Sequence, residues 1–549
     1  MAFAFHSRRS VVMANRGMVA TSQPLAAQAG LRILQEGGNA VDAAVATAAV
    51  LNVVEPMSTG VGGDAFALLY LAKEHRVRAL NASGRAPAAA TPERVAALCR
   101  GGRIPSTGPL AVTVPGTVHG WEALLREHGT MSLAEVLAPA IHYAREGFPV
   151  SEVIGRTWAQ ASSKLRQDEG AASTYLIGGK APRIGQLFRQ PDLARTLETI
   201  AEGGSEAFYR GEIARRVAAY VQAKGGLLTA EDLAAHASTW DAPIEIGYRG
   251  HRLLECPPNG QGIVALQALG ILEGFDLGAM KWGFAEPLHL QIEAIKLAFA
   301  DALHYLADPC HAPVPADGLL DPAYLAGRRA RIDLSQAAPG YEPGLPSSAA
   351  KGLPSSTAKG LPGAHADTVY LTVVDEQRNA VSFINSLYEP FGSGLVVPGT
   401  GIALQNRGAL FTLDPDHPNC IAPGKRPYHT IIPALLFRGE QLVLSFGVMG
   451  GFMQPQGQVQ VLCNLLDWGM DVQQALDAPR FRWTEGNQVA FEAGLAHMTR
   501  LALEKRGHTV TTNAAPGTMG GGQIIRIDPE TGVLQGGSDP RKDGCAVGY

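Results

Sequence analysis

Cysteine is scarce in this chain of 549 residues. The six present, Cys99, Cys256, Cys310, Cys420, Cys463 and Cys545, lie far apart with no CxxC pair. That spacing argues against a disulfide framework and against a thiolate metal site, and leaves buried or incidental thiols as the simplest reading. The histidines form no HExxH or other metal spacing, so no metal is expected. Long apolar runs are missing as well. The longest, Val41 to Val54, is interrupted by Asp42 and Asn52 and is shorter than the roughly 20 residues that span a bilayer. Met1 to Ser10 has no apolar core followed by a small-residue cleavage site, so no secretory signal is read and the cytoplasm is expected. The formal net charge is −4 and no long basic run occurs. Neither a nucleic acid nor an anionic membrane is therefore indicated as a partner.

What remains is globular material, long enough for one large or two medium domains. Pro24 to Gln35 has partly helical apolar spacing and is stopped by Gly37-Gly38. Asn39 can cap a second, alanine-rich helix running to about Val53, whose small side chains predict burial. Thr59-Gly-Val-Gly-Gly63 leads into Ala65–Tyr70, a buried-strand pattern. With no GK[ST], and with the loop leading into a strand, the glycines read as a structural turn rather than a phosphate loop. From Gly120 to about Ala330 the pattern is mainly helical, with Leu288, Ile292, Ile295 and Phe299 on one face of a helix over Pro287–Leu306.

Between Gly344 and Lys359 the chain reads GLPSSAAK, then GLPSSTAK, and a third GLP begins at Gly360. Such a repeat builds no core, and a mobile, exposed linker is expected over about 339–367. Directly after it, Thr368 to Asp375 is β-rich and leads through a turn at Asp375–Asn379 to a second strand over Ala380–Asn385. A strand-initial threonine is usually structural. Cleavage of the peptide bond before it, however, would place a free α-amine, titrating near 8, beside its own hydroxyl. Nucleophile and base would then belong to one residue.

Other residues decide between these readings. Asp367–Asp375, Phe391-Gly-Ser-Gly394, Pro423–Pro427, Met449-Gly-Gly-Phe452 and the closing Gly536–Tyr549 resemble the small subunit of γ-glutamyltransferases. Glu36–Ala44, Gly60–Asp64, Val114-Pro-Gly116 and Glu293–Ala298 are similar to the large subunit, in the same order along the chain. The resemblance implies a four-layer αββα sandwich, the N-terminal-nucleophile hydrolase fold of α+β class. It also implies self-cleavage between Asp367 and Thr368 into a helix-rich large subunit (1–367) and a strand-rich small one (368–549), sharing a core-like interface. Thr368 would be the nucleophile, the N–H groups of Gly450 and Gly451 the oxyanion hole, and Ser386 a hydroxyl hydrogen-bonded to the nucleophile. No cofactor takes part. γ-Glutamyl amides such as glutathione are the expected substrates, and a higher oligomer is left open.

The substrate positions depart from the family pattern. Leu410 stands where an aspartate holds the substrate α-amine. Tyr388 and Arg407 replace an asparagine and a glutamine, and His429-Thr430 replaces a serine pair. Arg85, in Ser83-Gly-Arg85, lies two residues later than the arginine that binds the α-carboxylate, so Arg85 and Arg407 are both candidates for that role. The loop between Phe411 and Lys425 is short, which favours hydrolysis over transfer to an amino acid. Loss of the amine-binding aspartate keeps open an acylase or amidase for acyl groups lacking the α-amine, of the glutaryl-cephalosporin or oxamate type. A non-catalytic binding protein is the third reading.

Overall fold

The computed structural model describes residues 9–347, 361 and 367–549. Two seven-stranded sheets face each other. The first runs in the order Cys545–Gly548, Met18–Thr21, Asp367–Val374, Ala380–Tyr388, Asp64–Leu71, Arg76–Ala82, Thr239–Asp241. The second runs Val12–Ala14, Leu534–Ser538, Gly521–Ile527, Gln441–Met449, Ala434–Arg438, His251–Glu255, Ile244–Tyr248. Every pairing within them is antiparallel. Phe66, Leu68, Tyr370, Ile384, Ile431 and Leu435 fill the space between the sheets. Helices cover both outer faces, which gives the αββα layering that the resemblance implies. Both sheets interleave strands from before and after Thr368, so neither half of the chain holds either of these two sheets complete.

Local sequence explains the elements nearest the site. Helix Ala40–Val54 starts at a capping box formed by Asn39 and Asp42, and all of its residues are buried. Its alanines let it lie close against the strands Asp367–Val374 and Ala380–Tyr388. Those two strands form the expected hairpin. Asp375 fixes the turn by accepting from the Asn379 N–H at 2.9 Å, and its other oxygen accepts from the Ala40 N–H at 3.0 Å. Gly62 and Gly63 form a structural turn into Asp64–Leu71. A side chain at Gly62 would meet the Ala403 carbonyl oxygen at 2.1 Å, so the backbone approach itself requires glycine.

The stretch from Gly120 to Ala330 is mainly helical, as expected, with the strands Thr239–Asp241, Ile244–Tyr248 and His251–Glu255 set among the helices. They are short strands at or near sheet edges, and Ile244–Tyr248 is only half-buried, so their apolar signal is weak beside the surrounding helices. The helix expected over Pro287–Leu306 spans Ala285–Tyr305 and is buried almost all round rather than on one face. It carries Glu293, Lys296 and Asp301 inside. Of the repeat segment, 348–360 and 362–366 lie outside the described residues. Its beginning is tied to this helix: the Gly344 N–H donates to Asp301 at 2.8 Å, and the Tyr305 hydroxyl donates to the Gly344 carbonyl at 2.7 Å.

Candidate active site

Thr368 lies where the hairpin slips register, between the pairs Asp367–Tyr388 and Val369–Asn385. A bulge of this kind re-aims a side chain at a strand end. The threonine is buried, and its Oγ1 is 3.0 Å from Ser386 Oγ. Ser386 Oγ also accepts the Tyr388 N–H at 2.8 Å. Tyr388 has φ of +78°, a left-handed conformation that is strained for a tyrosine. Its ring faces Arg407, whose Cζ lies 4.6 Å from the ring centroid.

Arg407 is completely buried. Its Nη1 donates to Thr430 Oγ1 at 2.6 Å, while Nε and Nη2 have no hydrogen-bond partner among the described residues. Burial lowers its pKa to about 10, still high enough to keep the guanidinium charged at neutral pH. A charge so placed is costly unless something pairs with it. The nearby acid, Asp64, is only a distant counter-ion, 4.0 Å from Arg407 Nε. Burial pushes Asp64 up to about 7, opposed by Arg407 and by the backbone N–H of Gly84.

The oxygens of Asp64 are already engaged. Oδ1 accepts from the Gly84 N–H at 3.0 Å and from Gln405 Nε2 at 3.1 Å, and Oδ2 lies 3.1 Å from His429 Nε2. His429 Nδ1 accepts the Ile431 N–H at 3.4 Å, so Nε2 carries the proton and donates to Asp64. Burial and the Arg407 charge hold this histidine well below its usual range, as the neutral ring. It stacks on Phe66 at 4.7 Å. His429 therefore supports Asp64 and presents no spare N–H of its own.

Gln261 extends these contacts to the glycine pair. Its Nε2 donates to the Thr430 carbonyl at 2.8 Å and to the Gly451 carbonyl at 2.9 Å. Gly450 and Gly451 form the turn between the strand Gln441–Met449 and the helix Met453–Leu466, with φ of +125° and +59°. A side chain at Gly450 would lie 3.0 Å from Gly520 Cα. One continuous run of contacts thus joins Thr368, Ser386, Tyr388, Arg407, Thr430, Gln261 and Gly451. Arg85 is not in it. Its Nη1 sits 3.4 Å from Asp308 and donates to the Gly424 carbonyl at 3.1 Å. Leu410 closes the short 3-10 turn that begins at Arg407 and packs against the hydrophobic core.

A second buried polar group lies away from this site. His289, Glu293 and His508 bring ligand-type atoms within 4.8 Å of one another. Glu293 already accepts from Lys296 at 2.8 Å, from Tyr341 at 2.6 Å and from the Ala338 N–H at 3.2 Å. The two histidine rings meet each other at 2.8 Å. With the Lys296 ammonium beside the carboxylate, the group is a hydrogen-bonded anchor rather than a cation site.

The same fold and much of the sequence recur in known proteins. Residues 26–549 match the family described as Gamma-glutamyltranspeptidase. The chain belongs to the γ-glutamyltranspeptidase family. A glutathione hydrolase-like YwrD proenzyme of Bacillus subtilis is 40% identical over 98% of this chain and 99% of that protein. An oxamate amidohydrolase proenzyme of Klebsiella pneumoniae is 38% identical, with 98% and 99% covered. Among solved structures, a cephalosporin acylase from Bacillus halodurans superposes with a TM-score of 0.92 at 46% identity, over 100% of this chain and 98% of that one. As a member of the γ-glutamyltranspeptidase family the chain is an enzyme, an N-terminal-nucleophile hydrolase that cleaves its own precursor into subunits and works through an acyl-enzyme. The binding-protein reading therefore lapses. No helix among the described residues is long and apolar enough to cross a membrane.

Sequence reasoning named Thr368, Ser386, Tyr388, Arg407, Thr430, Gly450 and Gly451, and the contacts draw these together. It did not single out Gln261, Gln405 or the carboxylate of Asp64. Asp64 stood at the end of a glycine-rich motif, which was the available signal.

Proposed function

We propose that this enzyme hydrolyses amides whose acyl group carries a free carboxylate and needs no α-amine. The observation that carries the proposal is the buried Arg407 guanidinium with Nε and Nη2 unpartnered. A substrate carboxylate supplies the charge and the acceptors that this group lacks. An ammonium on the acyl chain would find no comparable partner. The one carboxylate in the surrounding contacts, Asp64, is engaged by Gly84, Gln405 and His429. Leu410 offers no acceptor at the position where the resemblance expects an aspartate.

In this reading the bond between Asp367 and Thr368 is cut first, giving subunits 1–367 and 368–549. The freed α-amine takes the proton of the Thr368 hydroxyl as Oγ1 attacks the substrate amide carbon. Ser386 holds Oγ1 in place. The Gly450 and Gly451 N–H groups receive the developing oxyanion, a task that suits two consecutive glycines at positive φ. The C–N bond breaks, the amine leaves with the proton, and the acyl group remains on Oγ1 until water displaces it.

The loop after Phe411 folds on itself. The Thr412 N–H donates to the Asn419 carbonyl at 3.2 Å, and Lys425 Nζ donates to the Cys420 carbonyl at 2.9 Å. So compact a loop supports water, rather than an amino acid, as acceptor.

The test compares glutaryl and γ-glutamyl 4-nitroanilides, which differ by the α-amine. The glutaryl compound is expected to have the higher kcat/KM, by about tenfold or more for an ammonium left without a partner. A γ-glutamyl preference of that size would restore the glutathione-type reading.

A further inference from the structure

Gln261, from the large-subunit part of the chain, holds both the glycine turn and the Thr430 segment. It is fully buried at the start of helix Gly262–Leu272, which is itself buried throughout. Each polar atom of its amide is occupied. Nε2 uses both hydrogens, on the Thr430 and Gly451 carbonyls, and Oε1 accepts the Tyr428 hydroxyl at 3.0 Å. Its backbone N–H donates to the His429 carbonyl at 2.9 Å. A carboxamide is the only common side chain of this length that offers two donors and an acceptor in one plane.

The two carbonyls that it grips serve different functions. Thr430 carries the hydroxyl that receives Arg407 Nη1. The Gly451 carbonyl belongs to the peptide unit directly after the N–H groups assigned to the oxyanion, so its orientation fixes the pitch of that turn. Glycines adopt φ of +125° and +59° freely and so do not fix such a pitch by themselves; the Gly451 carbonyl is held by the Gln454 N–H at 3.1 Å and by Gln261. We infer that Gln261 is a positioning residue that couples oxyanion stabilisation to recognition of the substrate carboxylate, locking both to the large subunit. The inference rests on the role proposed above for Gly450 and Gly451.

The test uses the self-processed enzyme with two probes, glutaryl 4-nitroanilide and the uncharged ester 4-nitrophenyl butyrate, which makes no use of Arg407. In Gln261→Glu the acid can donate one hydrogen bond when protonated and none when ionised, so one carbonyl is always released and both are released at higher pH. Its kcat is expected to fall at least about tenfold further than wild type on both probes between pH 6 and 9, the scale of a misplaced oxyanion donor. Gln261→Met is expected to lose a similar factor without the added pH dependence, and it serves alone if the glutamate variant does not fold. Thr430→Val is expected to raise KM for the anilide by a larger factor than for the ester. Variants of Gln261 whose kcat stays within about twofold of wild type on the ester, whatever their thermal midpoint, would overturn the inference. An effect on the ester combined with no effect of Arg407→Met on the anilide would sink the carboxylate reading and overturn the coupling with it, leaving Gln261 with its hold on the glycine turn alone.

Discussion

Two of the buried cations in this molecule, Lys296 and Arg407, sit in opposite circumstances. Lys296 uses its three ammonium donors on Glu293 at 2.8 Å, the Ala338 carbonyl at 2.5 Å and Asn487 at 3.0 Å. Arg407 is as deeply buried, yet two of its nitrogens have no hydrogen-bond partner among the described residues. The first arrangement is closed. It spans the chain from the helix Ala285–Tyr305 to the segment ahead of the repeat and on to the strand-rich half. The second is open and is linked to Thr368 through Tyr388 and Ser386. Burial and charge are common to both; the two unfilled nitrogens set Arg407 apart from Lys296 and underlie the substrate role proposed for it.

The contrast can be broken in order of expected effect. Removing the ammonium in Lys296→Met strands the Glu293 carboxylate and should destabilise the protein by about 3–5 kcal/mol, read as denaturant midpoint. The protein that remains folded should keep the wild-type KM, and a raised KM would show that the anchor is part of the site. Arg407→Met should do the reverse. KM for a carboxylate-bearing amide rises by roughly 100-fold, while stability changes little because a costly unpaired charge is removed. An unchanged KM with a large stability loss would make Arg407 structural.

The smallest effect concerns pH. Asp64, held up at about 7, gains its negative charge 4.0 Å from Arg407 Nε as pH rises through that value. Its field then opposes an incoming carboxylate, so KM should be flat below about pH 6.5 and rise roughly 3- to 10-fold by pH 8.5. Asp64→Asn should flatten that rise. The same raised pKa means that the fold binds this proton more tightly than the unfolded chain does. The stability from Asp64 is therefore fully present at low pH and declines as pH rises toward and through about 7.

Much of this was legible in the sequence where chemistry is local. The hairpin after Thr368 announced itself through β-branched residues and an Asp–Asn turn, and Asn39 marked its helix through a cap that acts within three residues. Arg407 stood out because a charged residue replaced a neutral one in a recognisable motif. Asp64 and His429 meet across 365 positions of chain, and Gln261 reaches Gly451 across 190. No periodicity or spacing encodes such contacts, and they exist only once the strands are interleaved. The buried circumference of the helix Ala285–Tyr305 was hidden for a related reason. Its charged residues look like a solvated face until the segment reaching Gly344 closes over them.

The most direct test is the intact mass of purified wild-type protein beside Thr368→Ala. Two fragments of roughly 39 and 19 kDa, scaled by chain length, with Thr368 at the new N-terminus and an uncut alanine variant, are the predicted result. A folded, active wild type that remains one chain of 57.8 kDa, or a Thr368→Ala variant that still cleaves at that bond, would contradict the account.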